Sequence, residues 1–247
     1  MFELKPMDVL RLCDVETTGF KPAGEICEIG WVDLVYYPEG WQIVGEHQSR
    51  FVNPGHQITN SHIHNITDDM VRDGMTPAEA RAMLAKGAVI HAAHNARFDR
   101  QFIQSSLPWV CTLEGARKVW PKAPNHKNET LKQYLGIEVD GDAHRAGYDA
   151  AVSARILLQL FKHLTLEDLI RISDPGHVPT VMPFGKHKGE RIANLPMDYI
   201  NYMLTLPDLA KGMRIAFENQ KTLRGKPKPI AAPARAVGDN WWDRGDF

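Results

Sequence analysis

No stretch of this 247-residue chain approaches the roughly 18 consecutive apolar residues of a membrane span, so a membrane-embedded role is not expected. The opening MFELKPMDVL has no basic stretch leading into an apolar run, so an export signal is not expected either. Cysteine is scarce: Cys13, Cys27 and Cys111 are an odd count among apolar neighbours. That pattern fits reduced core thiols in the cytoplasm better than a disulfide framework or a metal cluster. Net charge is almost absent at −1, which rules out a uniformly basic or acidic chain. The near-zero sum hides unlike parts. Residues 1–174 carry 18 Lys+Arg against 23 Asp+Glu, residues 175–230 carry 9 against 4, and residues 231–247 carry 2 against 3. An acidic body therefore bears a basic module, read either as solvated surface or as a phosphate-attracting patch beside an acidic site.

With 43% hydrophobic and 24% charged residues, the chain has the make-up of a globular protein with one sizeable core and a smaller module. DVLRLCDVE, ICEIGWVDLVYY and WQIVGEHQSRFV are β-rich runs separated by Gly and Pro signals, which predicts an antiparallel meander. Helical spacing follows in TPAEARAMLAKG, with a Thr-Pro start and a Gly stop. AVIHAAHN reads as a buried strand feeding the helix ARFDRQFIQSSL. Next come the strand WVCTL, the helices EGARKVW and NETLKQYLG, and the long helix AGYDAAVSARILLQLFKHL. Strands alternating with helices in this way give an α/β domain over 1–174. A loop leads to a small module over 175–225, a hairpin around KHKG and two helices. Residues 226–247 are a Pro/Ala-rich flexible tail ending in DNWWDRGDF.

The chemistry concentrates in three short stretches. In LCDVETTGF, Asp14 and Glu16 are two residues apart in a strand, so both carboxylates point to one face. Like charges that close raise each other's pKa unless a cation lies between them, which predicts a hard divalent metal such as Mg²⁺ or Mn²⁺. The TTG that follows is a turn signal. HNARFD sets Asp99 at the start of a helix after a buried strand, and HRAGYD sets His144 five residues ahead of Asp149 at the start of the longest helix. Four carboxylates and one histidine form the inventory for two metal ions and a general base. Against these stand plainer readings. His94 and Asn95 are expected to organise their loop through hydrogen bonds. GKHKGE lacks the GxxxxGK[ST] pattern, so it is read as a tight turn showing Lys186, His187 and Lys188 to a nucleic-acid backbone.

DVETTG, HNARFD and HRAGYD, in this order, resemble the three motifs of the DEDDh exonuclease superfamily, and SHIHNITDDMV resembles a stretch that often follows the third strand there. The resemblance covers about residues 8–174. MPFGKHKGERIANLP resembles the C-terminal module of the bacterial exodeoxyribonuclease X group within that superfamily. It implies a ribonuclease H-like fold: a three-strand antiparallel meander plus parallel strands, flanked by helices. It also implies a 3′→5′ exonuclease that hydrolyses DNA to nucleoside 5′-monophosphates, in repair or turnover. Asp14, Glu16 and Asp149 are then expected to hold the ion that activates water, Asp14 and Asp99 a second ion, and His144 to take the proton. Two Mg²⁺ ions are expected, with Mn²⁺ able to substitute. Thr17, Thr18 and Phe20 are expected against the terminal nucleotide, Phe98 beneath the site, and Lys186 and Lys188 on the DNA. Two other readings stay open, an RNA-trimming exonuclease and a proofreading or partner-binding subunit of a DNA polymerase. The tail is read either as a peptide docking Trp241, Trp242 and Phe247 into a replication or repair protein, or as a segment folding over its own core.

Overall fold

Alternation along the first strand sets the architecture. In β1 (Val9–Thr17), Leu10 and Leu12 are fully buried on one face, while Cys13 and Val15 are buried on the other. A strand with two apolar faces belongs in the middle of a sheet. The computed structural model, which describes residues 3–141, 145–174, 178–182, 184–207, 209 and 211–225, puts it there. The five strands run in the order β3-β2-β1-β4-β5. β2 (Ile26–Tyr37) and β3 (Gly40–Phe51) complete the antiparallel meander, and β4 (Ile90–Ala93) and β5 (Trp109–Cys111) add parallel strands on the other side of β1.

Helices cover both faces. The loop after β3 carries two single turns, α1 (Ser61–His64) and α2 (Asp68–Val71), and then α3 (Pro77–Ala85). Thr76 and Glu79 form a reciprocal capping box at the start of α3, with Pro77 at the first helical position. Together with α4 (Ala96–Ile103), α3 packs Ala80, Leu84, Phe102 and Ile103 against Cys13 and Val15. On the opposite face, α7 (Ala146–Leu160) lies across Leu10, Leu12, Val32 and Leu34. It is joined there by α5 (Thr112–Val119), α6 (Asn128–Tyr134) and α8 (Leu166–Ser173), through Ala116, Leu131 and Leu169.

Glycine lets α7 approach the sheet this closely. A Cβ on Gly30 of β2 would fall 2.0 Å from the carbonyl carbon of Ala146, and one on Gly147 would fall 3.0 Å from the Gln48 carbonyl oxygen of β3. Helix α7 stops at Leu160, one turn short of the predicted end, and Phe161 at its C-cap stacks on Trp41, with ring centroids 5.8 Å apart. Helix α8 was not among the predicted elements, although Thr165 and Asp168 form its capping box.

Beyond Asp174 a third apolar cluster gathers residues that belong to neither face of the sheet. Met182, Ile192, Leu195, Ile200, Met203, Met213 and Phe217 pack together under α9 (Met197–Leu204) and α10 (Lys211–Gly225). The predicted hairpin is a single antiparallel bridge between Val181 and Arg191. Its turn runs between Gly185 (φ +74°) and Gly189 (φ +86°), a backbone region that glycine adopts without strain. The expected tail, residues 226–247, lies outside the described residues. All three cysteines are free and buried. Among the described residues, no helix is long and apolar enough to cross a membrane.

Candidate active site

The row Leu10, Leu12, Asp14, Glu16 changes from apolar to acidic along one face of β1, just where the start of α7 crosses it. Asp149, in the first turn of α7, meets that row. Asp14, Glu16 and Asp149 each offer a carboxylate oxygen, and these atoms lie within 4.8 Å of one another. All three are half-buried. The crowding shows in their electrostatics. Burial first, then the charges of Asp99, Asp149, Glu16 and Glu28, hold the Asp14 carboxyl well above the ordinary range. Burial, followed by Asp149, Glu28 and Asp99, pushes Glu16 up to about 8, with Arg145 pulling the other way. Three converging carboxylates offer only hard oxygen donors, and Cys13 turns to the other face of the strand. Such a donor set suits a hard divalent cation, whose charge would relieve the repulsion.

Asp99, 2% exposed at the start of α4, stands outside that group of three. Its Oδ1 accepts the Val15 N–H at 3.2 Å, between Asp14 and Glu16 in sequence. The parallel pairing of β1 with β4 ends at Leu12 and Ala92, so the Val15 N–H lies beyond the reach of that strand and Asp99 takes it. Burial pushes the Asp99 carboxyl up to about 8. His144 lies outside the described residues.

Glu28 was not among the predicted site residues. It is fully buried on β2, directly opposite Glu16. Oε1 accepts from Arg145 Nη2 at 2.7 Å and from the Ser49 hydroxyl, and Oε2 accepts the Ala146 N–H at 3.2 Å. A charge inside the apolar run ICEIGW was the available signal. The clamp ties the first residue of α7, and through it Asp149, to the sheet. Glu28 is fully buried but Arg145 is 41% exposed and can return to water, so the loss is that of the hydrogen bonds to a charged group, about 1.5–3 kcal/mol. Glu28→Ala is therefore expected to lower stability by about 2 kcal/mol in urea denaturation, with Glu28→Gln recovering part of the loss because it keeps the hydrogen-bonding shape.

The turn after β1 is fastened by its own threonines. The Thr17 hydroxyl donates to the Gly19 carbonyl at 3.0 Å, and the Thr18 Oγ1 accepts the Glu25 N–H at 3.0 Å and meets His56 Nε2 at 2.9 Å. Phe20 at its tip is 81% exposed, with its ring edge-on to Phe98 at 6.0 Å, and Phe98 leans on Phe102. His94 lies between Thr112 Oγ1 (2.8 Å) and the carbonyl of His126 (2.7 Å), and burial lowers its pKa to about 4. It is a neutral strut, as the plainer reading expected. Asn95 starts α4 in the left-handed region. Lys186 is exposed and Lys188 half-buried on the Gly185–Gly189 turn, and His187 stands edge-on to Tyr199 at 4.4 Å.

Against proteins already described, the family model for exonucleases of the RNase T type matches residues 12–157. This chain belongs to the exonuclease family. Its DEDDh-type fold is that of a solved structure, Exonuclease X in complex with 5′ overhanging duplex DNA. The two are 30% identical with a TM-score of 0.59, covering 67% of this exonuclease and 99% of that chain. Exodeoxyribonuclease 10 of Escherichia coli K12 is 30% identical over 197 residues, which are 76% of this exonuclease and 85% of that protein. A PolC-type DNA polymerase III of Oceanobacillus iheyensis is 34% identical over 177 residues, 66% of this exonuclease but only 12% of the polymerase. A second family model, described as a putative quorum-sensing-regulated virulence factor, matches residues 176–208.

Proposed function

We propose that this exonuclease is a metal-dependent 3′→5′ exodeoxyribonuclease that releases nucleoside 5′-monophosphates from DNA ends in repair or turnover. The observation that carries the reading is the convergence of Asp14, Glu16 and Asp149 within 4.8 Å. The similarity to exodeoxyribonuclease 10 over most of both chains supports DNA as substrate. Asp14, Glu16 and Asp149 would hold one divalent ion and Asp14 with Asp99 a second, Mg²⁺ or in its place Mn²⁺. Such ions supply a coordinated water of lowered pKa and stabilise charge on the phosphate oxygens.

The chain's own groups do the rest. Asp99, held to the Val15 amide, keeps its carboxylate aimed along β1. His144 takes the proton of the attacking water, a task suited to an imidazole of ordinary pKa near 6.5. Its neighbour Arg145 is clamped by Glu28. The exposed Phe20 ring offers a stacking surface for the terminal base, in a turn kept in shape by Thr17 and Thr18. Lys186 and Lys188 meet the DNA backbone from the C-terminal module. In this reading 1–174 is the exonuclease domain, 175–225 a basic module, and 226–247 a tail that docks on a replication or repair protein. The three unpaired cysteines suit the cytoplasm. A polymerase-subunit reading is less favoured, since the similarity covers 12% of the polymerase against 85% of exodeoxyribonuclease 10.

The test is a gel assay of the purified protein on 5′-labelled single-stranded DNA, duplex DNA and RNA, with Mg²⁺ and with EDTA. Stepwise shortening of DNA in Mg²⁺ and none in EDTA is expected. Faster shortening of RNA, or shortening that survives EDTA, would overturn the proposal.

A further inference from the structure

Between Glu114 and Glu129 the chain carries Arg117, Lys118, Lys122 and Lys127 and not one acid, inside a body that is otherwise net acidic. Arg117 is used locally, paired with Glu114 Oε1 at 2.7 Å. Lys118, Lys122 and Lys127 are exposed, and none has an ion-pair partner among the described residues. The flanking acids are engaged elsewhere, Glu114 with Arg117 and Glu129 with the Tyr148 hydroxyl at 2.8 Å. Unpaired lysines on an exposed strap are ordinary when the strap is loose. This one is fastened at several points.

His126 Nε2 donates back to the Trp120 carbonyl at 3.0 Å, and Asn125 Oδ1 accepts the Lys127 N–H at 3.0 Å. The His126 carbonyl accepts from His94 Nε2, so the strut of the HNARFD motif also holds the strap. At its far end Asn128 Nδ2 approaches Asp149 Oδ1 at 3.5 Å, while Asn128 Oδ1 accepts the Ser153 hydroxyl at 3.1 Å. The strap thus ends against a member of the carboxylate group.

We propose that the strap from Lys118 to Lys127 is a phosphate track that grips the DNA backbone as it enters the carboxylate site. The proposal rests on the exodeoxyribonuclease reading above. Its chemistry is that of fixed ammonium groups replacing condensed counterions along a polyanion, which needs no base contact and carries no sequence preference. It also answers a problem of the site itself. A half-buried group of carboxylates repels phosphates, and cations held beside it bring the substrate within reach.

Binding of a fluorescein-labelled duplex with a 5′ overhang is measured by anisotropy in EDTA, across a range of salt concentrations. The triple variant Lys118→Gln, Lys122→Gln, Lys127→Gln is expected to bind roughly tenfold or more weakly and to flatten the slope of log K against log[salt] by about 2 to 3. The matching triple arginine variant keeps both, because the charge is what acts. In Mg²⁺, the glutamine variant loses kcat/KM mainly through KM. As a readout that needs no variant, the duplex shields Lys118, Lys122 and Lys127 of the wild-type protein from acetylation, read by mass spectrometry. Unchanged affinity and slope, or acetylation of all three lysines unaffected by DNA, would overturn the track while leaving the nuclease reading intact. A wild-type protein that shortens no DNA sinks that reading instead.

Discussion

Asp14→Ala is expected to cut kcat by roughly 10³-fold or more and, at the same time, to raise the melting temperature of the metal-free protein. The two effects have one origin. Burial and four other acids oppose the charge of Asp14. Alanine removes that repulsion and leaves Leu10, Leu12 and the sheet register untouched. The sign of the pH dependence follows. Glu16 titrates near 4.5 when unfolded but at about 8 in the fold, and Asp99 at 3.8 against about 8. Between those values the folded protein holds protons that the unfolded chain has released, so stability falls as pH rises from about 4 to about 8. In EDTA the wild-type melting temperature is expected to drop across that range. Millimolar Mg²⁺ should flatten the drop, and Asp14→Ala should lessen it without metal. Scanning calorimetry at pH 5 and pH 8, with and without Mg²⁺, reads all three. A variant that melts below wild type in EDTA would show that Asp14 supports the fold rather than straining it.

Gly30→Ala is expected to cost about 3 kcal/mol or more and to take most of the activity with it. The added methyl would meet the Ala146 carbonyl carbon at 2.0 Å, its oxygen at 2.2 Å and the Gly147 nitrogen at 2.2 Å. All three are backbone atoms, so no side chain can swing aside. Helix α7 has to lift from β2, and Asp149 in its first turn lifts with it, away from Asp14 and Glu16. Urea denaturation reads the stability, and titration calorimetry with Mg²⁺ reads the damage to the site. Gly147→Ala is the milder comparison, since its nearest contacts are at 3.0 to 3.2 Å and two of the three are side-chain atoms. Equal stability of Gly30→Ala and wild type would mean that α7 does not sit against β2 at that distance.

What could be read from the chain was what depends on neighbours in sequence. Period-two spacing put Asp14 and Glu16 on one face, and the Thr-Pro start of α3 announced its cap. The capping pair Thr165 and Asp168 is equally local, but a helix of eight residues directly after a longer one blends into its pattern. Glu28 and Gly30 belong to another class. Their roles depend on Arg145 and Ala146, more than a hundred residues away, and a lone acid or glycine in an apolar strand gives no sign of a distant partner. Phe161 shows the same limit in reverse. Its apolar character continued the helical pattern, but the partner it found was Trp41.

The short reach of β4 has a consequence of its own. Since β1 outruns its parallel neighbour, the sheet has a missing rung at Val15, and a side chain fills it. One backbone proton is thereby wired to a carboxylate of the proposed metal site. Whatever draws the Asp99 carboxylate forward loosens its hold on that amide, and whatever protonates the carboxylate weakens it. The exchange rate of the Val15 amide becomes a gauge of what the site contains, legible in a nuclear magnetic resonance spectrum without substrate, label or turnover.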